Sequence, residues 1–308
     1  TLAEFFKASG IDPHLFYNGK RTYTRLLMKA GLIEEREESL EEKVLMRAYP
    51  ALLSLDSPHW ISYLKENLKA PQRPTTILDR EYAAMLYHTL LSKDLEALGI
   101  ISPEALILSL SHWHPFIKEL EAFLTMQENA LSFLPQSPGV LYPCALEVYC
   151  HYTRNQIFAA LGYDHPSSIR EGVKFLTPEK SFAVTHPTDV FLVTLNKSDR
   201  DFSETTRYED YSIDRMTFHW QSQSTTTPHS KTGQRYERLC REKEKAGYIL
   251  LFVRENKKDA YGGTQSYTFL GRVSIERLQG SQPMTAILKL ALPLSAGLLT
   301  ETDASGVL

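Results

Sequence analysis

Residues 134–143, with the sequence LPQSPGVLYP, divide the chain into two parts that differ in hydrophobic period. Three prolines and a glycine in ten positions end regular helical structure. Before this stretch apolar residues recur at helical spacings, and after it they occur in short runs rich in β-branched and aromatic residues. The sequence therefore predicts a helical part followed by a β-rich part.

The N-terminal part is predicted to be a helical bundle. Apolar residues recur every three or four positions, as on one face of an α-helix, in residues 2–10, 24–33, 39–55, 59–68, 79–98 and 112–131. Glycines and prolines separate these segments, and Ser39 and Ser57 stand where helix N-caps belong. We therefore expect residues 1–140 to form a helical connector that couples the C-terminal part to a partner.

The C-terminal part, residues 141–308, is predicted to be an antiparallel, curled or barrel-like β domain. The short apolar runs between turn residues predict strands at residues 182–186, 189–195, 247–255, 265–275 and 284–294. One helix is predicted near its start, between an N-cap at Thr153 and a terminating Gly162. The expected fold class is therefore α+β.

Length and composition favour two cytoplasmic domains. A chain of 308 residues, 43% of them hydrophobic, can bury a core in each of two domains. No apolar run approaches the roughly 20 residues that cross a bilayer, and the N-terminus lacks the pattern of a secretion signal. Cys144, Cys150 and Cys240 have the spacing of neither a disulfide framework nor a metal site. Because the chain starts at Thr1, we expect it to be part of a longer protein.

The charge differs between the two parts of the chain. Residues 1–150 contain 14 Lys and Arg residues and 19 Asp and Glu residues, a net charge of −5. Residues 151–308 contain 20 and 18 of them, a net charge of +2. A positive balance attracts the phosphates of nucleic acid. The C-terminal part is therefore the better candidate for nucleic-acid binding.

The sequence carries no motif of a common catalytic site. It lacks the GxxxxGK[ST] phosphate loop, the GxSxG elbow, the HExxH zinc motif and the deaminase signature. We therefore expect this chain to be non-catalytic and to need no cofactor or metal of its own. A less favoured alternative is a cryptic nuclease whose metal is held by Asp199, Asp201 and Asp210.

A resemblance to a known family covers most of the chain. Its motifs are DVFLVTLNKSDRDFSETTRYEDYSI, FHWQSQS, KTGQRY, GYILLFVRENK, YTFLGRVS and QPM, in this order from residue 189 to residue 284. They resemble the uncharacterised C-terminal domain that follows the helicase-type ATPase in many bacterial DEAD/DEAH proteins. Residues 1–70 resemble the helical segment that joins the two. Some members, the SauUSI-type modification-dependent restriction enzymes, also carry a phospholipase-D-like nuclease.

This resemblance implies partners and a function for the whole protein. ATPase and nuclease chemistry, with its ATP and Mg²⁺, would lie in upstream domains. The C-terminal domain would recognise double-stranded DNA that carries methylated or hydroxymethylated cytosine, and it would be similar in plan to SRA and related PUA-like domains. An alternative from another class is a protein-docking or regulatory module of the ATPase that does not read modified bases.

A protein that recognises one modified base is expected to flip that nucleotide into a pocket. Such a pocket has aromatic walls on which the base stacks and polar groups that form hydrogen bonds with the base edge. The candidates lie in the polar and aromatic stretch between the predicted strands 189–195 and 247–255: Tyr208, Asp210, Tyr211, Trp220, Gln221, Ser222 and Gln223. Basic side chains nearby are expected to contact DNA phosphates; they are Lys197, Arg207, Arg215, Lys231 and Arg235.

Overall fold

The computed structural model describes residues 1–17, 21–90, 92–113, 117–196 and 210–294. The chain divides into two compact units. Unit 1 contains residues 1–135 and 150–167, and unit 2 contains residues 136–149 and 168–308. Their secondary structure is mixed α and β.

Unit 1 is built from α-helices and one two-residue strand, β1 (His151–Tyr152). Its helices are α1 (Leu2–Ser9), α2 (Pro13–Tyr17), α3 (Tyr23–Lys29), α4 (Leu40–Leu52), α5 (Pro58–Lys69), α6 (Ile77–Thr89), α7 (Ser92–Ala97), α8 (Pro103–Ser109), α9 (Ile117–Ala130) and α10 (Arg154–Ala160). Hydroxyl caps begin several of them, as at Ser39, whose Oγ accepts a hydrogen bond from the Glu42 backbone N–H. Within the described residues, no helix has the length and apolar composition to span a membrane.

The helix α10 has the caps predicted from sequence but lies in a different unit. Thr153 caps its start and Gly162 ends it with a φ of 67°. Our boundary at residue 140 placed this helix with the β domain. In the structure it belongs to unit 1, because α10 packs on α6 and the Gln156 side-chain amide donates to Thr89 Oγ1 at 3.0 Å.

Unit 2 is built on a mixed sheet. Its strands are β2 (Val173–Leu176), β3 (Thr188–Thr194), β4 (Tyr211–Ser212), β5 (Thr217–Gln221), β6 (Tyr248–Arg254), β7 (Tyr267–Gly280) and β8 (Met284–Leu290), in the spatial order β2-β3-β6-β7-β8-β5-β4. The predicted strands at β3, β6, β7 and β8 are present, whereas residues 182–186 form no strand. The expectation of a wholly antiparallel sheet was wrong, because β3 and β6 pair in parallel.

The segment between β5 and β6 contains a helix that sequence analysis missed, α11 (Lys231–Glu242). Ser230 caps its start by accepting from the Gly233 backbone N–H at 3.1 Å. A Cβ at Gly233 would lie 1.9 Å from the Thr227 carbonyl oxygen, so only glycine fits this close approach. A 3₁₀ turn at Lys243–Lys245 follows the helix.

The sheet is strongly curled, and α11 fills its concave side. Between β3 and β5 there are four inter-strand steps, which in a flat sheet would separate them by about 19 Å. The rings of Phe191 in β3 and Trp220 in β5 nevertheless stack with centroids 4.1 Å apart. Tyr236 of α11 packs edge-on against both rings. These side chains form the centre of the hydrophobic core of unit 2.

A β-bulge in β7 changes which side chains face outward. Ile275 pairs with Leu288, but Arg277, two residues later, pairs with Ile287, so Glu276 is an extra residue in the strand. Because paired residues share a face, Ile275 and Arg277 point to opposite sides of the sheet. The part of β7 beyond the bulge therefore presents Arg277 outward.

Candidate nucleic-acid interface

The outer face of the sheet over β5, β8 and the far half of β7 is polar and accessible. Along β5, Phe218 and Trp220 are buried in the core, so the intervening Thr217, His219 and Gln221 face outward. Along β8 the buried residues alternate with half-buried or exposed ones in the same way. This alternation separates a core face from an outer face on each strand.

Strand register places the outward side chains in three rows across the sheet. The middle row is Tyr211, His219, Ile287 and Arg277, one residue from each of β4, β5, β8 and β7. The flanking rows consist of Gln221, Thr285 and Gln279 on one side, and Thr217, Lys289 and Ser274 on the other. We call these ten residues the outer face. At about 4.8 Å per strand, the middle row spans roughly 14 Å.

An aromatic pair lies at one end of the middle row and a cation at the other. The rings of Tyr211 and His219 stack with centroids 4.6 Å apart and planes 14° from parallel. Tyr211 remains 37% exposed, and Arg277 and Lys289 are also exposed. Within the described part of the chain neither cation forms an ion pair. Rings on which bases can stack and unpaired cations for phosphates are the components of a nucleic-acid surface.

Trp220 lies in the hydrophobic core of unit 2, whereas the sequence suggested that it forms the wall of a base pocket. It is 3% exposed, and one face of its indole is stacked on Phe191. Its position between Phe218 and Gln221 in a strand, rather than in a loop, turns the side chain inward. The indole is therefore a core group.

The other proposed base-pocket residues are divided between the outer face and backbone support. Tyr211 and Gln221 are outer-face residues, and Gln223 is exposed just after β5. Asp210 is 7% exposed, and its Oδ1 accepts a hydrogen bond of 2.9 Å from the Gln221 backbone N–H. Asp210 therefore holds the end of β5 in place. Tyr208 lies outside the described residues.

Ser222 supports the junction of β5 and β8. The side chain is fully buried, and its Oγ accepts a hydrogen bond of 2.9 Å from the Met284 backbone N–H. The Ser222 backbone N–H in turn donates to the Met284 carbonyl at 2.9 Å. These bonds fix the register of the outer face.

We expect Ser222→Ala to lower the free energy of unfolding by about 1–3 kcal/mol, because the buried Met284 N–H loses its acceptor. Urea unfolding measures this change. Gln223→Ala, at the exposed neighbouring position, is the matched control and should stay within about 0.5 kcal/mol of the parent. Equal stability of the two variants would contradict the structural role of Ser222.

Of the basic residues proposed to contact phosphates, the three that the structure describes, Arg215, Lys231 and Arg235, do not converge on one surface. Arg235 instead forms a bidentate ion pair with the buried Asp189, at 2.9 and 2.8 Å, and lies over the Phe175 ring. Arg215 donates to the Leu294 carbonyl, beyond the end of β8. Lys231 is the first residue of α11, and this end of the helix lies beside Met284 at the start of β8. Arg215 and Lys231 are therefore separated by the length of β8, roughly 20 Å.

Several residues named from sequence lie outside the described part of the chain. They are Lys197 and Arg207, proposed for phosphate contacts, and Asp199 and Asp201 of the cryptic-nuclease alternative. Residues 197–209 directly precede Asp210 in the sequence.

The outer-face residues of β7 and β8 were not predicted from the sequence. Arg277, Gln279, Thr285, Ile287 and Lys289 belong to this group. The alternation of residues 284–290 between apolar and other side chains was a usable signal, because it marks one face of a strand as exposed. Nothing in the sequence revealed that β5 and β4 lie beside β8, or that a bulge turns Arg277 outward.

The fold and this surface define an α+β protein with a curled, open sheet and a polar outer face. The chain belongs to the family described as Domain of unknown function (DUF3427), which matches residues 146–301, half of the chain. Among solved structures, the chain is similar to the one titled "crystal structure of KRYPTONITE in complex with mCHG DNA and SAH". The two sequences are 15% identical and the TM-score is 0.36, over 73% of this chain and 46% of that chain. The match thus spans less than half of that protein's chain. No curated protein matches.

Proposed function

We propose that this chain is a non-catalytic DNA-recognition element and that it binds DNA through the outer face. The observation that carries the proposal is the middle row, which crosses four adjacent strands. It contains the stacked Tyr211–His219 pair and Arg277, which has no ion-pair partner in the part of the chain that the structure describes. A base stacked on Tyr211 would extend the ring pair. Arg277 and Lys289 would then be placed for the phosphates that flank the base.

The composition of the outer face favours nucleic acid over a protein partner. Ile287 is its one aliphatic member, and the remaining side chains are aromatic, amide, hydroxyl or cationic. Centres of protein interfaces are more apolar and depleted in charge. The amides of Gln221 and Gln279 can exchange hydrogen bonds with base edges. These features support DNA recognition over the docking alternative.

The finer part of the proposal comes from the family resemblance of the sequence. The DNA is double-stranded and carries methylated or hydroxymethylated cytosine. The complete protein is an ATP-dependent, modification-dependent restriction enzyme of the cytoplasm, with a helicase-type ATPase and a phospholipase-D-like nuclease upstream. A flipped cytosine would stack on Tyr211 rather than on Trp220, since the indole is buried.

Binding by the 308-residue chain to labelled duplexes tests both levels of the proposal. We expect binding that weakens with salt, and tightest binding to duplexes with 5-methylcytosine or 5-hydroxymethylcytosine. Tyr211→Ala should lower the affinity by about tenfold to a hundredfold, the equivalent of 1–3 kcal/mol of stacking. Arg277→Ala should weaken binding to all duplexes and reduce the salt slope by about one unit.

The matched controls are Tyr261→Ala and Arg238→Ala, which remove an exposed ring and an exposed cation far from the outer face in sequence. Neither should change affinity. Absence of binding to any duplex, or binding that survives Tyr211→Ala and Arg277→Ala unchanged, would overturn DNA recognition by this face. Equal affinity for modified and unmodified duplexes would contradict only the recognition of modified cytosine.

A further inference from the structure

A groove of about 710 Å³ lies on the surface of unit 1. It is lined by parts of α1, α2 and α3 and by the segment 35–38 that follows α3. Its apolar lining consists of Phe5, Ile11, Phe16, Leu26 and Met28. Ile11 is 42% exposed and Leu26 is 36% exposed. Exposed apolar side chains grouped around one depression mark a surface for a partner.

The helix α3 forms one wall of the groove and buries none of its residues. Glu119 of α9 holds its start, because the carboxylate accepts hydrogen bonds of 2.7 and 2.9 Å from the Tyr23 and Thr24 backbone N–H groups. The Arg25–Glu38 ion pair ties the helix to the chain that runs back beside it. A short helix in a protein gains most of its stability from packing an apolar face. The apolar side of α3 is therefore the surface that a partner would cover.

The chain directly after α3 presents apolar and acidic side chains together. Gly31, with a φ of 66°, ends the helix, after which Leu32 is 71% exposed and Ile33 is 40% exposed. Glu34 and Glu35 follow, both exposed and without an ion pair in the described part of the chain. We call residues 32–35 the projecting segment. Its two apolar residues and two carboxylates match an apolar groove that carries cations.

The groove carries such cations. Four cations are in its lining, and two of these, Arg25 and Arg36, pair with nearby glutamates. Arg21 and Lys29 lie at opposite ends of α3, are exposed, and form no ion pair within the described residues. The helix between them is roughly 10 Å long. Both cations are therefore available to carboxylates of a partner.

A two-fold axis makes this surface complementary to itself. In a symmetric dimer the same surface occurs on both sides of the interface. With the axis near Leu26, the two α3 helices pack antiparallel, and the Lys29 end of each helix lies beside the Arg21 end of the other. Glu34 and Glu35 then lie between Lys29 and the partner subunit's Arg21. Each end of the interface holds two cations and two carboxylates, so its charges are balanced.

We propose that the chain forms a symmetric dimer through this groove, with the projecting segment of each copy seated in the groove of the other. A second copy fits best because the chain itself carries the apolar and acidic segment that the groove requires. Burial of Leu32 and Ile33 supplies the affinity, and the charges set the antiparallel register. The proposal does not depend on DNA binding by the outer face, because all its residues lie between Phe5 and Glu38 in unit 1.

Sedimentation velocity of the full 308-residue chain at about 1–200 µM tests this dimer. The surface is small for a specific interface, so we expect a dissociation constant of roughly 10–100 µM. Leu32→Ser should raise that constant at least about tenfold, because less apolar area leaves water. Arg21→Glu should raise it by a similar factor, since the new carboxylate faces those of the partner subunit. The double variant Arg21→Glu with Glu35→Arg should regain dimer formation, because the two charges are exchanged across the interface.

Matched variants separate the dimer contacts from general effects. Ile101→Ser removes an aliphatic side chain of unit 1 that is 79% exposed, and Arg80→Glu reverses an exposed cation of α6. Neither should change the dissociation constant. Leu32→Ser should keep the melting temperature of the parent at about 1 µM, where the chain is monomeric.

Three results would each overturn the proposal. They are a monomer at about 200 µM, a dimer that both Leu32→Ser and Arg21→Glu leave unchanged, and a double variant that does not regain dimer formation. Duplex binding by the outer face would stand in all three cases, because its residues belong to unit 2.

Discussion

Trp220→Ala is expected to lower the free energy of unfolding by about 3–5 kcal/mol. The indole stacks on Phe191 and meets the edge of Tyr236, so its removal opens a cavity at the point where β3, β5 and α11 meet. The melting temperature should fall accordingly. Below that temperature the relative preference among duplexes should be unchanged, because the indole does not reach the outer face.

Thermal and urea unfolding of Trp220→Ala and of Tyr211→Ala compare the loss of a buried ring with the loss of an exposed one. Tyr211→Ala removes an exposed ring from the adjacent strand and should change stability by about 0.5 kcal/mol or less. Trp220→Phe should recover part of the lost packing. A Trp220→Ala variant as stable as the parent that has lost its preference for modified duplexes would contradict the core assignment and restore the indole to a binding pocket.

Arg235→Ala is expected to lower the free energy of unfolding by about 3–5 kcal/mol, because it leaves the buried Asp189 carboxylate without its partner. Burial raises the pKa of Asp189, and the hydrogen bonds and charge of Arg235 oppose that rise. Without the guanidinium, the carboxyl group would take up a proton at a higher pH. Stability of Arg235→Ala should therefore fall as the pH rises through this raised pKa.

Two further variants distinguish a buried pair from a general effect of charge. Replacing both partners, in Asp189→Leu with Arg235→Met, should cost less than Arg235→Ala alone, because no charge is left unpaired. Arg238→Ala removes a cation from the same helix, but its pair with Glu242 is exposed, and the expected cost is about 0–1 kcal/mol. Equal losses in Arg235→Ala and Arg238→Ala would contradict the structural role of the Asp189 pair.

The sequence predicted β3, β6, β7 and β8, and two of these strands are buried along their whole length. All residues of β3 and β6 are buried, and such apolar runs are recognisable without knowledge of their neighbours. Helix signals in the first part were equally local, as in the capping box at Ser39 and Glu42. These elements follow from short-range chemistry.

The elements that form the candidate site could not be predicted in the same way. In β5, the polar residues around Trp220 suggested a recognition loop, but their alternation with Phe218 and Trp220 belongs to a strand with one buried face. In α11 only Gly233, Tyr236 and Leu239 are buried, so its apolar stripe is narrow. The pairing of Asp189 with Arg235 joins residues far apart in sequence, which no local pattern reveals.

The bulge at Glu276 shifts the alternation of side chains along β7 by one residue. The residues before it and the residues after it alternate between the two sides of the sheet out of phase. Deleting Glu276 would place Arg277 directly after Ile275, and regular alternation would then keep Arg277 and Gln279 outward and Leu278 in the core, each opposite its present partner in β8. In β7, the bulge residue is therefore a position whose loss, like its substitution, leaves the two faces of the strand unchanged.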